Sequence, residues 1–284
     1  MTIEPHDRTG YEQPPALPPP PDEQIRQQTQ PRRGIFRRAG GAVVAAGLAV
    51  LKWGGVLLGL LGKTKLLGTM LSFFVSLAAY GYIFGWWFGL GFLILLLLHE
   101  LGHVIQLRRE GVPFSMPLFI PFMGAVVGMK GLPENAWTEA KVGLAGPILG
   151  GIASAGCLLL AVTTNSDLLQ ALAYTGFFIN LFNLIPVLPL DGGRAAAALH
   201  PAFWFLGLFA VALLFFWHPN AILLFILILG GLELYSRWGS RHRPEARAYH
   251  AVTKGQRITI GIVYLALILA LVAGMEISYL HRTF

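Results

Sequence analysis

His99-Glu100-Leu101-Gly102-His103 sits inside the apolar run "LLLLHELGHVIQ", residues 95–106. On a helix, residues four apart share a face, so His99 and His103 can offer imidazole nitrogens to one metal ion. Glu100 then stands beside that ion, placed to act on a water molecule. Ionisable groups in such a run are costly, whether it lies in a protein core or in lipid. Metal ligation gives them a reason. Helix-packing histidines with an incidental glutamate would leave the carboxylate buried without a purpose.

A catalytic zinc typically has three protein ligands and one open position. Asp191, in "NLFNLIPVLPLDGGR", is the candidate third ligand. It ends another apolar run, Pro186 and Pro189 break the helix before it, and Gly192 and Gly193 permit a sharp turn that aims its carboxylate. The competing role for Asp191 is an N-cap of the short helix that follows. Cys157, the only cysteine, lies in the apolar "GGIASAGCLLLAV". Neither a disulfide framework nor a cysteine metal site is therefore available.

Composition says where this chemistry takes place. Of 284 residues, 55% are hydrophobic and 12% charged, with a mean hydropathy of +0.62. Soluble domains carry about 25% charged residues, so this is an integral membrane protein. The formal charge of +7 resides in short basic clusters between apolar runs. Such clusters set membrane topology and do not form a nucleic-acid surface. Apolar runs long enough to span a bilayer lie at 66–86, 88–107, 141–163, 168–189 and 257–280. The stretch 202–236 fits two short helices joined at His218-Pro219-Asn220.

The elements that must position the chemistry follow from these runs. Residues 1–40 form a disordered proline-rich cytoplasmic tail, with no secretory signal. Residues 41–65 are an interfacial, re-entrant or additional transmembrane segment. Residues 66–200 make the catalytic membrane core, and 201–284 supply C-terminal transmembrane helices with a basic loop at 237–257. Residues 112–133 are apolar but carry Pro113, Pro117, Pro121 and Pro133, which block a regular helix. They read as a short β-hairpin or loop dipping into the membrane. The fold class is thus an all-α integral membrane protein, a polytopic bundle of about six or seven transmembrane helices with a short membrane-associated β-hairpin. Met123, Gly124, Ala125, Val126 and Val127 are the expected strand edge for an unwound substrate segment. Basic residues following the HELGH span and Asp191 put both motifs toward the cytoplasmic face.

HELGH together with Asn183-Leu-Ile-Pro186 and Asp191-Gly192 resembles the site-2 protease family of intramembrane metalloproteases. Those enzymes carry HExxH on one transmembrane helix and N-x-x-P-x-x-x-x-D-G on a later one. "AGP" at 145–147 and "PLFIPFMGA" are also similar to segments of that family, and no PDZ-like or CBS-like insertion is evident. The resemblance covers residues 66–200. It implies one Zn2+ per chain held by His99, His103 and Asp191, Glu100 as general base, and Asn183 holding substrate or the reacting carbonyl. It also implies membrane-protein substrates such as anti-sigma factors, and a bacterial inner-membrane location. The alternative is a metal-ion transporter using His99, His103 and Asp191 as its ion site. That reading has no need of Glu100.

Overall fold

The computed structural model describes residues 65–131 and 133–279. The tail 1–40 and the segment assigned to 41–65 lie outside the described residues, except for Lys65. Lys65–Phe84 form α1 and Trp86–Arg109 form α2. Two strands follow, β1 (Leu118–Ile120) and β2 (Gly124–Val126). The remaining helices are α3 (Ala136–Thr164), α4 (Asp167–Asn183), α5 (Asp191–Leu199), α6 (Ala202–Trp217), α7 (Ala221–Ser240), α8 (Pro244–Tyr249) and α9 (Lys254–Ser278). Among the described residues, five stretches are long and apolar enough to cross a membrane: Leu67–Phe84, Trp86–Arg109, Ala136–Thr164, Ala221–Ser240 and Lys254–Ser278. α6 is a shorter apolar helix, and α4 has 17 residues. The bundle of helices with one small hairpin is as the sequence implies.

Local signals set the helix boundaries. The Asn135 side chain accepts from the Thr138 N–H at 3.0 Å to start α3, and Asn220 accepts from Leu223 at 2.9 Å to start α7. Thr253 and Gln256 form a reciprocal capping box at α9. Each satisfies backbone donors that the first helical turn leaves free. The turn expected at His218-Pro219-Asn220 separates α6 from α7.

One boundary differs from expectation. The apolar run 168–189 is helical only to Asn183. Pro186 cannot continue the hydrogen-bond ladder and disfavours helix in the residue before it. The chain from Leu184 to Leu190 is irregular, contains the cis bond Leu188–Pro189, and is held by the Tyr264 hydroxyl donating to the Leu184 carbonyl. Val187 and Leu188 are buried all the same. Hydropathy therefore does not distinguish this segment from helix.

α3 packs against α2, α4, α5 and α9, and its small residues let the site-bearing elements approach. A Cβ on Gly143 would come within 2.8 Å of the Asp191 carbonyl oxygen, one on Gly146 would strike the His103 ring, and one on Gly150 the Asn180 amide. Small residues at helix contacts serve this purpose in membrane bundles.

The hairpin is antiparallel, with Leu118 opposite Val126, Phe119 opposite Ala125 and Ile120 opposite Gly124. α1 holds its outer side. The Phe119 N–H donates to Ser72 Oγ at 3.2 Å, the Phe122 N–H to Tyr80 Oη at 2.9 Å, and Thr69 Oγ1 to the Pro117 carbonyl at 2.7 Å. Because Phe119 donates away from β2, Phe119 and Ala125 form a non-hydrogen-bonded pair. The Ala125 N–H and C=O accordingly point away from β1. β2 packs against α2, the helix that carries HELGH. Val126 is half-exposed, Met123 lies in the turn, and Val127 is buried.

Candidate metal centre

HELGH occupies the second half of α2. His103 and His99 stand six and ten residues before Arg109, roughly 9 and 15 Å along a helix. A bilayer's hydrocarbon core is about 30 Å thick, so the site lies well below the end of its helix. His99, Glu100, His103 and Asp191 are all buried. Asp191 is the first residue of α5, and its side chain does not cap that helix. Its carboxylate turns to the histidines instead, which removes the N-cap role weighed above.

Three atoms converge. His99 Nε2 is 3.1 Å from Asp191 Oδ2, His103 Nε2 is 3.2 Å from the same oxygen, and the two Nε2 atoms are 3.1 Å apart. The far side of each ring fixes its tautomer. His103 Nδ1 lies 2.8 Å from the Val142 carbonyl, which only accepts, so Nδ1 carries the proton. His99 Nδ1 lies 2.8 Å from Asn180 Oδ1, while Asn180 Nδ2 donates to the Gly176 carbonyl at 2.7 Å. His99 Nδ1 is therefore the donor as well. With Nδ1 as donor, the neutral form of each ring turns an Nε2 lone pair toward the same carboxylate oxygen. Such a cluster of acceptors calls for a cation. Tetrahedral zinc with ligand bonds of about 2.0–2.1 Å puts neighbouring ligand atoms roughly 3.3 Å apart, close to the observed spacings, so the donor set fits.

A carboxylate oxygen of Glu100 lies within 4.8 Å of the histidine ligand atoms. Among the described residues no basic side chain forms a salt bridge with it. It is thus near the centre without belonging to the three converging atoms.

The other expected residues fall in different places. Asn183 ends α4, is partly exposed, and makes no side-chain hydrogen bond among the described residues. Asn180, one turn earlier, is buried and orients His99. Sequence reasoning passed over it, although an asparagine inside the apolar "GFFINLFN" was a legible signal. Arg194 does not pair with Asp191; its guanidinium approaches Met129 Sδ at 3.8 Å. His250 is partly buried with Nδ1 3.1 Å from the Ala197 carbonyl.

Residues that orient ligand imidazoles typically contribute 10–100-fold to metal affinity. Asn180→Ala is expected to weaken Zn2+ binding by about that factor in a chelator competition. Unchanged affinity would mean that His99 needs no such partner.

Residues 87–167 match the family model for peptidase family M50. The chain is 36% identical over 109 residues to the zinc metalloprotease MJ0392 of Methanocaldococcus jannaschii, covering 36% of this chain and 31% of that protein. It is 26% identical over 237 residues to "Probable zinc metalloprotease EGY1, chloroplastic" of Arabidopsis thaliana, covering 64% and 41%. The chain thus spans less than half the length of these curated relatives. Among solved structures, the site-2 protease from Methanocaldococcus jannaschii overlaps 76% of this chain and 92% of its own, at 20% identity and TM-score 0.37. The matched segment 87–167 contains HELGH and stops short of Asp191. Over that segment the chain is similar to peptidase family M50, and the curated relatives it matches are zinc metalloproteases.

Proposed function

We infer that this protein is an intramembrane zinc endopeptidase, hydrolysing peptide bonds in or near the transmembrane segments of other membrane proteins. The observation that carries the reading is the convergence of His99 Nε2, His103 Nε2 and Asp191 Oδ2 at 3.1–3.2 Å, with the Glu100 carboxylate beside them. His99, His103 and Asp191 would hold the zinc, whose chemistry there would be to acidify water and polarise a carbonyl. Glu100 takes the proton of the attacking water and later returns it to the leaving amine nitrogen. Val142 and Asn180 keep both imidazoles turned so that Nε2 faces the centre. Asn183 supplies an unpaired amide to the substrate backbone or the developing oxyanion. An ion transporter built on the same three ligands has no work for Glu100 or for an open strand edge.

A helical substrate hides its peptide bonds in internal hydrogen bonds. Once unwound in a membrane, its N–H and C=O groups need new partners, and a strand edge provides them. The segment Met123 to Val127 is that edge in this reading, with the outward N–H and C=O of Ala125 at its centre. Proline at Ala125 removes an outward donor, whereas proline at Val126 falls in the ladder to Leu118. The test is cleavage of a single-span membrane substrate by purified protein. Ala125→Pro should cut the rate at least tenfold while zinc content and hairpin register stay as in wild type, a tenfold loss being about 1.4 kcal/mol of barrier. Val126→Pro should also loosen the hairpin, and Ala125→Gly should be mild. Equal rates for Ala125→Pro and Ala125→Gly would reject strand pairing, and transport without cleavage would reject the protease.

Substrates of this reading are signalling membrane proteins, anti-sigma factors among them. The setting is the bacterial inner membrane, with the centre open to the cytoplasm. Cysteines placed at Arg108 and Arg241 should then react only with membrane-permeant reagents in intact cells, and cysteine at Asn165 with impermeant ones. The reverse labelling would overturn the orientation.

A further inference from the structure

Asp191 reaches the histidines from the first residue of a nine-residue helix that follows an irregular, proline-interrupted segment. Something must hold that helix in place. Trp204 on α6, itself buried, donates its indole N–H to the Gly193 carbonyl at 2.8 Å, two residues from Asp191. The Arg237 guanidinium from α7 lies over the Trp204 indole, 5.1 Å from its centroid. Arg237 is fixed in turn by the buried Glu139 on α3, with nitrogen–oxygen distances of 3.0 and 3.3 Å. The Tyr249 hydroxyl donates to the same carboxylate at 2.7 Å. Glu139 is one turn before Val142, the carbonyl partner of His103.

We propose that Trp204 and Arg237 are positioning residues for the Asp191 ligand, joined to the centre through the Gly193 carbonyl and to α3 through Glu139. A buried ion pair adds little net stability over well-packed apolar groups. What this one adds is direction. The planar guanidinium is locked by a two-point contact with a carboxylate, and it fixes the plane of the indole whose N–H sets the Asp191 turn. The C-terminal helices, which supply no ligand, thereby determine where the third ligand stands. The proposal rests on the metal centre described above.

The test is Zn2+ affinity of the purified full chain by chelator competition, together with the visible spectrum of the Co2+-loaded protein. Trp204→Phe keeps the ring and removes only the donor. It is expected to weaken Zn2+ binding about tenfold, the lower end for residues that support ligands, and to shift the Co2+ bands. Its metal-free unfolding midpoint should stay near wild type. Arg237→Gln should do the same or more. Arg237→Lys should rescue only in part, because an ammonium lacks the planar fork. Glu233→Gln, which touches only the exposed end of the pair, should change affinity less than twofold. Wild-type Zn2+ affinity and an unchanged Co2+ spectrum in Trp204→Phe would overturn the proposal. A wild-type chain that binds no Zn2+ would overturn the centre itself and this proposal with it.

Discussion

Glu100→Gln is expected to keep stoichiometric zinc and lose cleavage by about 10²–10⁴-fold, the usual contribution of a positioned general base. The substitution is nearly isosteric, so the packing around a buried side chain changes little. The ligand set also survives, because the converging atoms are His99 Nε2, His103 Nε2 and Asp191 Oδ2. What disappears is the ability to accept a proton from water and give it to the leaving nitrogen. Elemental analysis and a cleavage assay on the same preparation check both halves. Full proteolysis by the variant would remove Glu100 from the mechanism. Loss of zinc would instead make Glu100 a ligand alongside His99 and His103.

How much of this was legible in the sequence depends on the range of each interaction. HELGH was readable because helix periodicity alone puts both imidazoles on one face. The break from helix across 112–133 was readable because prolines excluded a helix in an apolar stretch, and the strands Leu118–Ile120 and Gly124–Val126 fall within it. Asp191 needed two signals together, a helix broken by proline and a turn eased by glycine. Its partners 92 and 88 positions away were reached only through the rule that a catalytic zinc takes three ligands. The end of α4 was misjudged by six residues, since Val187 and Leu188 are buried in an irregular segment and give the same hydropathy as helix. Asn180 was overlooked in favour of Asn183. Both are asparagines in an apolar stretch, and only the packing of α4 against α2 shows which one reaches His99 Nδ1. The Glu139–Arg237 pair joins residues 98 positions apart, and no local pattern announces such a pairing.

Asp191→Ala is expected to lose both zinc and activity, the reverse of Glu100→Gln in its metal content. The carboxylate closes the triangle of lone pairs and carries the only formal charge among the three atoms. Without it, two neutral imidazoles remain to hold a divalent cation in a poorly hydrated site, and removing a buried partner from a charge costs about 3–5 kcal/mol. A loss of that size is roughly 100- to 5000-fold in affinity, beyond what the Asn180 or Trp204 changes should produce, since those leave all three ligands present. His99→Ala and His103→Ala should match Asp191→Ala in zinc content. Stoichiometric zinc and wild-type cleavage in Asp191→Ala would place the third ligand elsewhere. The pair of variants also separates the two functions weighed for this site. A transporter would fail with Asp191→Ala and be indifferent to Glu100→Gln, whereas a protease fails with both and for different reasons, one through its metal and the other through its proton.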